Sequence, residues 1–197
     1  SNYRKFAAAL GVEIRAAIRE DAVASFRMEV GTLPAYDAAS LRRVMKHALA
    51  QGWISPPAAG ETAESMLIDY VRDSISRLGA PTLLRTGMTS LSLDDDLALS
   101  AWRARVIQKF ESVKLCGQFD AVDISWLPSL VALSRHEDGI SRVSQMLSDH
   151  GIAFIYEPHF TGLRVDGAAL QIDGVPIVAM SARHDRIDNF WFTLMHE

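Results

Sequence analysis

The chain has 197 residues, 49% of them hydrophobic and 22% charged, which suits one large domain or two small ones with a real core. Its net charge of −4 provides no global basic field for nucleic acid. A single cysteine, Cys116, excludes an internal disulfide and points to a reducing cytoplasm, and neither a membrane-spanning apolar run nor a signal peptide is visible.

In chain order, residues 3–30 read as helical, with Phe6, Leu10, Ile14 and Ile18 at helical spacing. Gly31-Thr-Leu-Pro34 breaks the pattern. Asp37 or Ser40 can cap the next helix, whose apolar stripe is Leu41, Val44, Met45, Ala48 and Leu49. Gly52 ends it, and residues 55–60 form a turn or short linker. Its other face carries Arg42, Arg43, Lys46 and His47. The plain reading is a solvated face; the alternative is a phosphate-binding face.

Residues 62–78 predict a helix with Leu67, Val71, Ile75 and Leu78 on one side, stopped by Gly79-Ala-Pro81. Residues 82–93 look irregular. Asp94-Asp-Asp96 suits the positive end of a helix dipole and opens a helix with Leu99, Trp102, Val106, Phe110 and Val113 inward, closed by Gly117. Arg103, Arg105, Lys109 and Lys114 cluster on its later part. Ile124, Leu127 and Val131 mark a short helix. Ile140, Val143 and Leu147 mark another, closed by His150-Gly151 as a left-handed cap.

At residue 152 the period changes. Ile152–Glu157 is β-branched and aromatic, hence a strand. Residues 166–172 and 175–181 flank Asp173-Gly174, a hairpin signal because a type I′ turn needs positive φ at both positions. Pro176 suggests that the first part of the return strand lies at an edge. Residues 188–197 predict a last helix, capped by Asp188, with Ile187 and Phe192 spaced for a hydrophobic staple. The fold class is therefore α+β. A mostly helical part, residues 1–118, has no assigned role, and residues 119–197 form a second part with a small sheet.

The last helix ends on His196-Glu197. His-Glu is the first half of His-Glu-x-x-His, where two histidines one turn apart hold zinc and the glutamate activates water. The second histidine would lie three residues past Glu197, beyond this sequence. Zincins set the metal helix beside a sheet whose edge strand can hold an extended peptide, which puts Val175–Ala179 and Ser181 near such an edge.

Four stretches carry a resemblance: Gly151-Ile152, Asp166-Gly167-Ala168, Pro176-Ile177, and Arg183 through the run Asp188-Asn-Phe-Trp-Phe-Thr-Leu-Met-His-Glu197. With these, residues from about 120 to 197 resemble the ImmA/IrrE family of metallo-endopeptidase domains. Trp102 to Glu111 weakly resembles the helical connector of members that join a Cro/C1-type helix-turn-helix to this domain, some of them named HigA-type antitoxins. The resemblance implies that His196 is a zinc ligand and Glu197 the general base toward a zinc-bound water. It implies zinc in the intact parent protein and a regulatory protein or peptide as substrate. The alternative is a non-enzymatic HigA-like antitoxin or DNA-binding transcription regulator that uses the domain for sensing. A third reading is a helical scaffold in which His-Glu is incidental. The family's second histidine and acidic third ligand have no counterpart here, so no metal and no activity are expected of these residues alone.

Other candidates have plainer readings. His159 and His184 lie on loops flanking the sheet and read as exposed loop histidines that could approach the site. His136 reads as part of a solvated loop and His150 as a last-turn histidine. Cys116 reads as a small buried residue. Phe6-Ala-Ala-Ala-Leu-Gly-Val12 faintly resembles the turn of a helix-turn-helix. The Ser/Thr-rich start of a recognition helix is absent after Val12, and Glu13 would face phosphate. A helical packing or partner-binding role is expected for residues 1–60.

Overall fold

The computed structural model describes residues 37–76, 93–181, 183, 184 and 186–197. The predicted helix over 3–30, the break at 31–34, the helix-turn-helix-like run at 6–12 and the stretch 77–92 lie outside them. The described residues contain six helices and three strands in the order α1 (Ala38–Ala50), α2 (Ala63–Ser76), α3 (Leu93–Phe110), α4 (Leu127–Leu133), α5 (Gly139–Asp149), β1 (Ala153–Tyr156), β2 (Gly167–Ile172), β3 (Val175–Met180) and α6 (Ile187–Leu194). The class is α+β, as the change of period at residue 152 predicts.

Local chemistry explains the helix limits. Asp37 caps α1, its Oδ2 accepting from the backbone N–H groups of Ala39 and Ser40 at 3.0 Å each. Gly52, at φ +65°, and Gly151, at φ +70°, end α1 and α5 in the left-handed region. In α5 the N–H of Ile152 reaches the carbonyl of Leu147 at 2.9 Å and that of Gly151 reaches Ser148 at 3.1 Å, the two bonds of a Schellman ending. By contrast, α3 stops at Phe110, well before Gly117. Gly117 answers a different need: a Cβ there would fall 1.9 Å from the carbonyl oxygen of Asp149, where the chain crosses the end of α5.

The sheet order is β1-β3-β2. β1 runs parallel to β3 from Ala153↔Ile177 to Tyr156↔Met180, and β2 runs antiparallel to it from Gly167↔Met180 to Ile172↔Val175. The hairpin forms at Asp173 (φ 51°) and Gly174 (φ 81°), as the Asp-Gly pair predicts. β1 starts pairing only at Ile177, so the β1 side of Pro176 is an edge. The rest of β3 is central and saturated on both sides. Val175–Ala179, expected near a peptide-binding edge, lies in the central strand, and the edges are β1 and β2.

Side-chain alternation gives the sheet two covered faces. Ala153, Ile155, Ala168, Leu170, Ile172, Ile177 and Ala179 join one core with Leu41, Val44, Leu67, Val71, Leu97, Trp102 and Val106 from α1–α3. Met180, with the partly buried Phe154 and Val178, joins a smaller core with Leu130, Leu133, Val143, Leu147, Trp191 and Leu194 from α4–α6. The described residues are thus layered helix, sheet, helix, and α1–α3 belong to the same compact unit as the sheet.

Three further corrections concern faces. In α4 the buried residues are Leu130 and Leu133, while Ile124 and Val131 are exposed, because α4 starts at Leu127 and turns a different face to α5. Arg103 leaves the expected basic cluster and is buried, and desolvation pulls its pKa down to about 10. Cys116 is exposed, with its backbone N–H tied to Ser148. Where α3 meets β1, Glu157 is buried. Lys109 Nζ lies 2.7 Å and Arg105 Nε 3.5 Å from its Oε2, and Trp102 Nε1 donates to its carbonyl oxygen at 3.0 Å. Residues 102, 105 and 109 share one helix face, which clamps α3 to the sheet.

Candidate functional site

Helix α6 leads into His196 and Glu197, the two residues singled out in sequence, which follow its last regular turn. Its N-cap is Arg186, with no side-chain cap bond. Asp188 sits in the first turn instead, where the helix dipole favours a carboxylate. Arg186 Nε donates to its Oδ1 at 3.0 Å, and a second contact joins Nη2 to Oδ2. That hydrogen bond, more than any other influence, holds the Asp188 carboxyl below its usual range. The predicted staple does not form: Ile187 and Phe192 are 68% and 73% exposed. The helix starts two residues earlier than predicted, with Arg186 rather than Asp188 as its cap, and both side chains lie outside the core.

The face that packs on the sheet comprises Trp191, Thr193 and Leu194. Regular helix ends at Leu194, yet Glu197 still donates its backbone N–H to Thr193 at 3.1 Å, and His196 does so at 3.0 Å. Helical bonding therefore carries the turn through His196-Glu197. The His196 ring lies parallel to that of Phe192, four residues earlier, with centroids 6.2 Å apart.

Glu197 is brought against the first residue of β2. A Cβ on Gly167 would lie 3.2 Å from Glu197 Cγ, 2.7 Å from Thr193 Cγ2 and 3.2 Å from the carbonyl oxygen of Ala179. A side chain at 167 would push away the end of α6. Neighbouring Asp166 is fixed through its carbonyl, which accepts from Ser181 N at 2.9 Å and Ser181 Oγ at 3.2 Å. Its Oδ1 lies 3.9 Å from His184 Nε2. His184 also lines a groove of about 500 Å³ with Arg186, Asp188, Asn189 and Phe192. The start of β2 thus has Glu197 against Gly167 and, one residue earlier, the Asp166 carboxylate beside His184. Such groups can accept, hold and pass protons. In sequence, Asp166 is noted as the opening of a hairpin and as part of the resembling run Asp166-Gly167-Ala168, with no site role.

The other histidines have local duties. His159 Nε2 lies 2.9 Å from the carbonyl oxygen of Leu163, and its backbone N–H donates to Ser181 at 2.9 Å, which fixes the β1–β2 loop. His150 stacks on Trp126 at 4.9 Å. His136 lies in the turn after α4, with its N–H on the carbonyl of Leu133.

A zinc site takes three or four protein ligands. Among the described residues no three His, Cys, Asp or Glu side chains converge to hold a metal ion. The residues present do not by themselves fit zinc: His196 faces Phe192, and His184 pairs with Asp166 at a separate carboxylate. No helix among the described residues is long and apolar enough to cross a membrane. Comparison of the chain with protein-family models, curated proteins and solved structures finds no match.

Proposed function

We propose that residues 119–197 form part of an ImmA/IrrE-like metallo-endopeptidase domain, cytoplasmic, that cleaves or senses a regulatory protein. The observation that supports this reading most is the seating of Glu197: α6 is anchored on the sheet by Trp191 and Leu194, and Gly167 leaves the room its end occupies. On this reading His196 supplies one zinc ligand, the other ligands come from outside the described residues, and Glu197 is the residue that takes up a proton.

The test is zinc analysis of the full-length protein beside its His196→Ala variant, followed by cleavage of a candidate partner by Glu197→Gln. Stoichiometric zinc that is lost with His196, and cleavage that collapses by two or more orders of magnitude in Glu197→Gln, are the expected results. Zinc content equal in both proteins removes the role of His196. Undiminished cleavage removes that of Glu197.

A further inference from the structure

The basic residues of α1 have a setting that a solvated helix face does not need. Arg42, Arg43 and Lys46 are exposed and line one groove of about 560 Å³ with His47, Phe160 and Thr161. That volume is within the range of small-molecule sites, about 300–1,000 Å³. No carboxylate lines it, in a chain whose net charge is −4. Among the described residues none pairs with the three cations either; Arg43 Nη2 bonds only the Ser40 hydroxyl, at 2.5 Å. Arg42 and Lys46 are one turn apart, as are Arg43 and Lys46. Like charges at those spacings disfavour the helix, and no other part of the described chain neutralises them.

The groove's floor is built rather than incidental. Phe160, buried at 5% exposure, stacks under the His47 ring with centroids 4.4 Å apart. Trp53 meets both rings edge-on, at 4.8 Å from His47 and 5.5 Å from Phe160. Gly162, at φ +98°, makes room for Arg43: a Cβ there would lie 3.2 Å from Arg43 Nε. The guanidinium therefore rests against the β1–β2 loop, which also carries Phe160. Two segments more than a hundred residues apart meet to make a rigid aromatic base under a cationic rim. Arginine presents a planar fork of donors that matches phosphate oxygens, and lysine adds a point charge.

We propose that this groove binds a small phosphate-bearing molecule, with Arg42, Arg43 and Lys46 on the phosphate and the His47–Phe160 stack beneath it. The site is independent of the reading of His196 and Glu197, since none of its residues lies near the end of α6 in the chain.

The experiment is calorimetric titration of the full chain with inorganic phosphate and, separately, with adenosine 5′-monophosphate, at low and high salt. The same titrations are run on the Arg42→Gln/Lys46→Gln variant. Both substitutions are at exposed positions, and circular dichroism checks that the fold is kept. Saturable binding of one phosphate-bearing probe per chain is expected, weakened about tenfold or more in the variant, as loss of charged hydrogen bonds requires. Equal affinities for the two probes identify the free anion as the ligand. Tighter binding of the nucleotide identifies an organic phosphate. Two results overturn the proposal: no saturation by either probe at millimolar concentration, or binding unchanged in the variant.

Discussion

The two faces of the sheet are built to different standards. On the face covered by α1–α3, large side chains are sealed: Trp102, Leu67, Leu97, Val44 and Val106 are fully buried, and Glu157 is held by Lys109 and Arg105. On the face covered by α4–α6 the core is smaller, and α6 leaves Ile187, Phe192 and Met195 exposed around the His-Glu pair. The first face carries the stability of the unit. The second is less sealed, with polar groups at the start of β2. The difference is one of local stability: the layer with fewer buried apolar contacts opens more easily.

Trp102→Ala tests the first half of that contrast and has the largest expected effect. It removes a fully buried indole and its bond to the Glu157 carbonyl, at a cost of about 3–5 kcal/mol. Urea unfolding is the measurement; a loss under 1 kcal/mol would mean that the layer is not the stabilising one.

Gly167→Ala acts on the other face. Its Cβ would sit 2.7 Å from Thr193 Cγ2, so the end of α6 must shift, at about 1–3 kcal/mol. Adding Thr193→Ser, which deletes that methyl, should recover part of the loss. If the pair is no more stable than the single variant, the contact between β2 and α6 is not the cause.

The next effect is a slope rather than a fixed loss. Burial, against an opposing pull from Glu157, lowers the pKa of His47 below its ordinary 6.5. The unfolded chain then binds the proton more readily than the folded one. The stability contributed by neutral His47 is complete above pH 6.5 and is lost as pH falls through the lower folded value. Urea midpoints between pH 5 and 8 should show this slope, and His47→Gln should flatten it. An unchanged slope in the variant assigns the titration to another group.

Phe192→Ser should change stability least, by no more than about 0.5 kcal/mol, because the ring is 73% exposed. A larger loss in thermal unfolding would show that the exposed face of α6 is covered in solution, and would narrow the contrast between the two layers.

Local rules were readable directly from the residues. Asp37 caps α1, Asp173-Gly174 turns the hairpin, and His150-Gly151 closes α5, because each depends on backbone bonds within a few positions. The α+β class followed from the change of period at residue 152. Of the candidate site, His196 and Glu197 were visible as a half-motif, whereas the setting of Glu197 against Gly167 was not. Phase errors arose where a helix start moved by a residue or two: α4 turned Ile124 and Val131 outward, and α6 exposed Ile187 and Phe192.

What the sequence determined by itself was therefore most of the elements among the described residues, the Asp37 cap, the Asp173-Gly174 turn, the Gly151 ending and the half-motif after the last helix, since these rest on short-range sterics and hydrogen bonding. Only the tertiary structure decided that β3 is central, that Glu157 is clamped by α3, and that Arg42, Arg43, Lys46 and His47 meet Phe160 in one groove. The physical reason is that pairing order and groove walls join residues far apart in the chain, where periodicity carries no information about which faces meet.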